Sequence, residues 1–268
     1  MKDILTQIVD NKRFEVDVQM MNITQQQIEE LAFEPRTFHS MRQSLASSMS
    51  GIISEFKRKS PSKGWIHPNA KAVEIAKAYA QNGASAISVL TDQPFFGGSL
   101  TDLRTIREVV DVPLLRKDFI INEYQLYQAR IAGADAILLI AACLKTDECE
   151  RLATKAHELG LEVLLEIHTL EELEYITGNI DMAGINNRNL GTFHTDIQNS
   201  FMLAQQLKER TASMKSKPIL VSESGISKAE TVMMLRENGF QGFLIGETFM
   251  KTENPGYTLK EFIKSIAP

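Results

Sequence analysis

From about residue 50 onward, short apolar runs alternate with longer segments whose apolar residues recur every three or four positions. The short runs are Gly51–Glu55, Ala86–Leu90, Val112–Arg116, Ala134–Ile140, Glu162–Ile167, Met182–Asn186, Pro218–Ser222 and Gly242–Ile245. Several are continuous in Ile, Leu and Val, which suits parallel strands buried on both faces. The longer segments read as amphipathic helices. Lys71–Gln81 places Val73, Ile75, Ala76 and Tyr79 near one face, and Thr146–Leu159 and Gln198–Glu209 behave similarly. Ser227 to Glu230 and Thr169 to Glu172 have the S/T-x-x-E form of a capping box. Asn82-Gly83, Gly133 and Asn238-Gly239 stand where helical runs stop.

Strands alternating with helices in this way predict parallel βαβ units, and eight of each predict an α/β fold, the (β/α)8 TIM barrel. A doubly wound sheet alternates too, but usually with fewer strands, and no G-x-G-x-x-G follows the first run. The first 50 residues stand outside the repeat. Lys2–Phe14 and Ile23–Leu31 read as helices of an N-terminal helical extension packed on the barrel, and no low-complexity linker separates them from the rest. The expected organisation is one domain over 1–268, closed by a helix at Tyr257–Ile266 after the Asn254-Pro255-Gly256 turn.

Composition narrows the function. The 268 residues suit one barrel of about 250. A net charge of −5 argues against a nucleic-acid coat, but not against an anionic small molecule held by a few focused cations. Cys143 and Cys149 form no CxxC pair and read as reduced structural thiols. The five histidines show no metal-ligand spacing. The N-terminus lacks the layout of a signal peptide, and the most apolar stretch, Ala136–Leu144, is too short to span a bilayer. A cytoplasmic protein is expected, without membrane or nucleic-acid partners.

In a barrel, the C-terminal strand ends face the active site. Here they present Glu55 and Lys57, Lys117, Glu166, Asn186 and Arg188, Glu223, and Gly246-Glu247. One charged residue beside a strand is usually a loop residue or a structural ion pair. Ionisable groups at no fewer than five strand ends point instead to a catalytic mouth. Ser224-Gly225 after the seventh strand and Gly246 after the eighth lie where many barrels bind phosphate, although such glycines also simply make tight turns.

The segments Glu55-Phe56-Lys57-Arg58-Lys59-Ser60-Pro61-Ser62-Lys63-Gly64, Leu115-Arg116-Lys117-Asp118-Phe119-Ile120, Glu166 within Leu-Leu-Glu-Ile, Ile185-Asn186-Asn187-Arg188-Asn189-Leu190, Ser222-Glu223-Ser224-Gly225-Ile226 and Phe243-Leu244-Ile245-Gly246-Glu247 together resemble the signatures of indole-3-glycerol-phosphate synthases, in order and over nearly the whole chain. The resemblance implies ring closure, decarboxylation and dehydration of an anthranilate-bearing deoxyribulose phosphate, with neither metal nor organic cofactor. It implies Lys117 as general acid, Glu166 as general base and Glu55 as the carboxylate that holds or tunes the lysines. Lys57 would pair with the substrate carboxylate or act as a later acid, and both roles stay open. Asn186, Arg188 and Glu223 would orient substrate and charges. Ser60, Ser224, Gly225, Gly246 and Glu247 would stand on the phosphate side. Pro61, Phe119 and Leu190 could wall the flat ring. A lysine among cations, or in a dry pocket, would have its pKa lowered toward neutrality, and this is expected of Lys117. The family usually carries Asp where Asn189 stands, a departure that bears on how Arg188 or a neighbouring lysine is held. The resemblance is compatible with association with other tryptophan-pathway enzymes.

Two other classes share part of this pattern. A sugar-phosphate isomerase or epimerase barrel would have the glycine loops without needing Lys117, Glu166 and the Glu55/Lys57 pair together. A non-catalytic metabolite-binding barrel would have lost the acid or the base.

Overall fold

The computed structural model describes residues 4–188 and 195–266. Eight strands form a closed barrel: β1 Ile52–Phe56, β2 Ala86–Leu90, β3 Leu114–Lys117, β4 Ala136–Ile140, β5 Glu162–Ile167, β6 Met182–Asn186, β7 Ile219–Glu223 and β8 Gly242–Ile245. Every neighbouring pair is parallel, and β8 closes on β1 with Ile53 opposite Leu244.

Three helices precede the barrel: α1 (Ile4–Asn22), α2 (Gln25–Ala32) and α3 (Met41–Ser47). The strands are then followed in turn by α4 (Ala72–Gln81), α5 (Gln93–Phe96) with α6 (Leu100–Arg107), α7 (Glu123–Ile131), α8 (Thr146–Glu158), a 3₁₀ turn Glu171–Tyr175, α9 (Gln198–Arg210), α10 (Ala229–Glu237), and α11 (Glu247–Met250) with α12 (Pro255–Ile266).

The expected strands are present, with shifted ends that matter for the site. β1 starts at Ile52 because Gly51 turns the chain at φ 63. β3 and β7 run one residue further than expected. Lys117 and Glu223 are therefore the last residues of strands, held by the sheet. Side chains alternate in and out along each strand. Ile53, Leu115, Leu138, Leu164, Val221 and Leu244 fill the barrel interior, and Met41 and Leu45 of α3 join the same apolar cluster. The extension thus supplies part of the barrel core.

Three expectations are corrected. The fifth helix is a single 3₁₀ turn, because 168–181 leaves little chain between β5 and β6. Glu172 there accepts from the backbone N–H of Thr169 and His168 without capping an α-helix. Ser227 caps nothing, because α10 starts a residue late, with Lys228 at its N-cap. Capping boxes form instead at Thr24/Gln27 and Asn122/Gln125. No helix among the described residues is long and apolar enough to cross a membrane.

Candidate active site

A cavity of about 880 Å³ opens at the C-terminal end of the barrel. The charged centre of its floor is Lys117, whose ammonium lies 3.0 Å from Glu223 Oε2 and 3.3 Å from Glu166 Oε2. The register explains the meeting: β3, β5 and β7 each end in one of these side chains or place it one residue before the end. Glu166 also accepts from Asn186 Nδ2 at 3.0 Å, and His168 Nε2 lies 3.1 Å from the same oxygen. The other end of the Asn186 amide accepts the Arg188 backbone N–H at 3.0 Å, so one side chain fixes both the carboxylate and the start of the next loop. Lys57 pairs with Glu55, inside the lip of β1.

Two glycines are explained by these carboxylates. A Cβ at Gly184 would lie 2.2 Å from Glu223 Oε1, and one at Gly246 would lie 2.2 Å from Glu55 Oε1. Gly246 is therefore needed first by Glu55. Glu223 Oε1, wedged against Gly184, is buried without a hydrogen-bond partner among the described residues.

The electrostatics correct one expectation. Burial alone lowers the Lys117 pKa, but Glu223, Glu166 and Glu55 outweigh it and hold the ammonium well above its ordinary value. The neighbours that set it are carboxylates, not cations, and Lys117 stands firmly protonated. Burial likewise raises Glu166, yet Lys117, His168 and Asn186 bring it well below the usual carboxylate range. Glu223 is pushed up to about 7 by burial and by the charges of Glu166 and Glu55, against the pull of Lys117. One ammonium thus serves two carboxylates of unlike basicity.

The remaining expected residues also line this cavity. Ser60 and Pro61 reach it from the loop after β1, which Arg58 anchors through both carboxylate oxygens of Asp102 at 2.6 and 2.9 Å. Phe119 forms part of the wall and packs on Phe96 with ring centroids 6.0 Å apart. Arg188 borders the rim and approaches Glu247 at 3.9 Å, and Glu247 itself lines the cavity beside Gly246. Ser224 and Gly225 turn at φ 68 and 72. Leu190 and Asn189 lie outside the described residues. Among the described residues no cluster of His, Cys, Asp or Glu could hold a metal ion.

The sequence gives no site role to Ile4, Leu5 and Ile8 of α1, which close one side of the cavity. α1 is pinned there by Lys12, buried, with its ammonium 2.9 Å from Asp118 Oδ1 and 3.1 Å from Asp92 Oδ2. A lysine in a mixed helix carries no sign that its partners are aspartates just past two strand ends, 80 and 106 residues away.

Acid and base groups gathered at the C-terminal mouth of a closed parallel barrel define a (β/α)8-barrel enzyme. The solved structure of tryptophan synthase subunit alpha from Legionella pneumophila shares the fold, with a TM-score of 0.61 at 16% identity over 86% of this chain and 99% of that one. The family described as indole-3-glycerol phosphate synthase matches residues 5–262. The indole-3-glycerol phosphate synthase of Bacteroides thetaiotaomicron is 62% identical over 99% of this chain and 100% of its own length. That of Neisseria meningitidis serogroup C is 43% identical over 95% and 96%. The chain belongs to the indole-3-glycerol phosphate synthase family, which makes it a carboxy-lyase of tryptophan biosynthesis.

Proposed function

We propose that the enzyme converts 1-(2-carboxyphenylamino)-1-deoxy-D-ribulose 5-phosphate to indole-3-glycerol phosphate, with the following division of labour. The observation that carries this reading is Lys117 held between Glu166 and Glu223 on the floor of the cavity.

Ring closure requires the ribulose carbonyl to become electrophilic. Lys117, protonated, gives its proton to the carbonyl oxygen as the ring carbon bearing the carboxylate attacks the carbonyl carbon. Carbon dioxide then leaves that ring carbon, and its bonding electrons restore the aromatic ring. In the dehydration that follows, the new hydroxyl leaves as water with a proton from an acid. Glu166, kept ionised by Lys117 and His168, takes the proton from the adjacent carbon of the five-membered ring. Lys57 pairs with the substrate carboxylate at the start, or supplies the acid at the end. Glu55 holds Lys57, and Asn186 holds Glu166 and Arg188. Glu223 shares Lys117 and keeps it charged.

The phosphate end of the substrate belongs at the Ser224–Gly225 turn and the backbone of Gly246-Glu247, with Ser60 nearby. The aromatic end lies against Pro61, Phe119 and Leu190. The exposed cations Lys63 and Lys251 at the rim suit an anionic ligand. The reading takes 1–268 as one domain, needs no cofactor, and places the enzyme in the cytoplasm with neither nucleic acid nor membrane as partner. Association with other tryptophan-pathway enzymes belongs to the same reading.

The test is turnover of this substrate by the purified protein without added metal, followed by indole fluorescence. Lys117→Ala and Glu166→Gln run alongside, with folding checked by circular dichroism. Turnover by the wild type with severe loss in both variants is expected. A well-folded wild type that leaves the substrate untouched would sink the assignment.

A further inference from the structure

The Asn186-Asn187-Arg188 segment contributes its flanking residues to the cavity, and its middle residue points elsewhere. Asn187 is buried and does not line the cavity. Its Nδ2 donates to Ser222 Oγ at 3.0 Å and to the Ser224 carbonyl oxygen at 2.8 Å. Its Oδ1 accepts from Ser200 Oγ in α9. Its backbone N–H donates to the Glu223 carbonyl, and its own carbonyl accepts from the Asp196 N–H, both at 2.9 Å. Both amide protons and the amide oxygen are thus engaged within the protein, which leaves no role as a ligand contact.

What it holds is unusual. Ser224 is the one non-glycine residue at positive φ among the described residues. An L-residue keeps that conformation only where its surroundings over-determine it. The adjoining Gly225 is also left-handed, and a Cβ there would lie 2.2 Å from Thr195 Cγ2. Thr195 in turn bridges to Arg188. Asn187 therefore sits where the end of β6, the Arg188–Thr195 bridge, α9 and the 224–225 turn meet.

We infer that Asn187 is a positioning residue: by holding the Ser224 carbonyl it presets the left-handed Ser224–Gly225 turn for the substrate phosphate and fixes that turn relative to Arg188. This rests on the phosphate role proposed for the turn.

The experiment measures KM and kcat for the carboxyphenylamino-deoxyribulose phosphate, and the inhibition constant of inorganic phosphate as a competitor. Asn187→Asp keeps the shape and the acceptor for Ser200, but sets an oxygen against the Ser224 carbonyl. Asn187→Ser, smaller and with one donor, is measured beside it so that a misfolded aspartate variant does not decide the matter. In variants that fold by circular dichroism, KM and the phosphate inhibition constant rise about tenfold, and kcat stays within about threefold. Adding Ser224→Gly, which adopts positive φ freely, recovers part of the lost phosphate binding. Phosphate that competes in the wild type but is untouched by either folded variant leaves the turn as the phosphate site and removes Asn187 from it. A loss confined to kcat overturns the positioning role in the same way. If phosphate does not compete even in the wild type, the phosphate reading falls, and the role of Asn187 with it.

Discussion

Gly184 and Glu223 occupy the same space: a Cβ on the glycine would stand 2.2 Å from Glu223 Oε1. The two residues are on neighbouring strands, and the missing side chain of one is the seat of the other. Gly184→Ala is expected to push the Glu223 carboxylate off its position beside Lys117. Overpacking of this kind costs about 1–3 kcal/mol of stability. Displacing a catalytic neighbour by about an ångström costs on the order of a hundredfold in rate. Thermal unfolding and kcat measured together check this. A variant with wild-type kcat would show that the placement of Glu223 is not needed for turnover.

The raised pKa of Glu223 has a consequence for stability. Its ordinary value is 4.5, and in the fold it is pushed up to about 7, by burial first. A carboxyl raised on folding binds its proton more tightly in the native state. Its contribution is full below about 4.5, declines as pH rises to about 7, and is gone above that, a change on the order of 3 kcal/mol. Glu166, held low, titrates beneath this window. Glu223→Gln cannot titrate. The melting temperature of this variant relative to wild type should therefore climb by roughly 5 °C between pH 5 and pH 8. A difference that stays flat across that range would contradict the assignment of the proton to Glu223.

The barrel and its charged strand ends are legible in the sequence because both follow from local pattern. Strand runs bounded by helical periodicity give the order, and the order gives which residues stand at the mouth. What is not legible depends on long-range geometry. Nothing local says that Met41 and Leu45 join the barrel core, or that Lys12 reaches Asp92 and Asp118. The sign of the Lys117 shift fails for the same reason. It depends on which of the converging groups come within contact distance, and these are Glu166 and Glu223. Gly246 could be read as a phosphate glycine, yet its local need is the Glu55 carboxylate.

His168 takes no place in the cavity lining, but its ring lies 3.1 Å from Glu166 and 3.4 Å from Glu172. Although burial opposes its charge, the two carboxylates raise its pKa to about 10, so it is a cation across the neutral range. Its charge helps to depress Glu166, together with Lys117 and Asn186. Removing that charge with His168→Asn raises the Glu166 pKa, and the base is then lost at a higher pH. The part of the acid limb of the kcat profile that Glu166 sets should move to higher pH, with KM little changed. An unmoved acid limb would mean that His168 does not tune the catalytic base.

The buried Lys12 ammonium is the link between the extension and the active-site mouth. It stands 2.9 Å from Asp118 and 3.1 Å from Asp92, and its pKa is raised because those carboxylates outweigh its desolvation. Asp118 keeps Arg116 at 3.0 Å when Lys12 is removed, whereas Asp92 has only the Phe95 N–H left to it among the described contacts. Lys12→Met should therefore cost about 3–5 kcal/mol, most of it from the stranded Asp92 charge. Lys12→Met with Asp92→Asn should recover a good part of that loss, while Lys12→Met with Asp118→Asn, which also strands Arg116, should not. Because α1 carries Ile4, Leu5 and Ile8 into the cavity wall, the single variant should also raise KM before it unfolds. Denaturant unfolding of the three variants, read against KM for the first, decides the point. Equal stability of the two doubles would show that the ion pairs act on α1 without preference for Asp92.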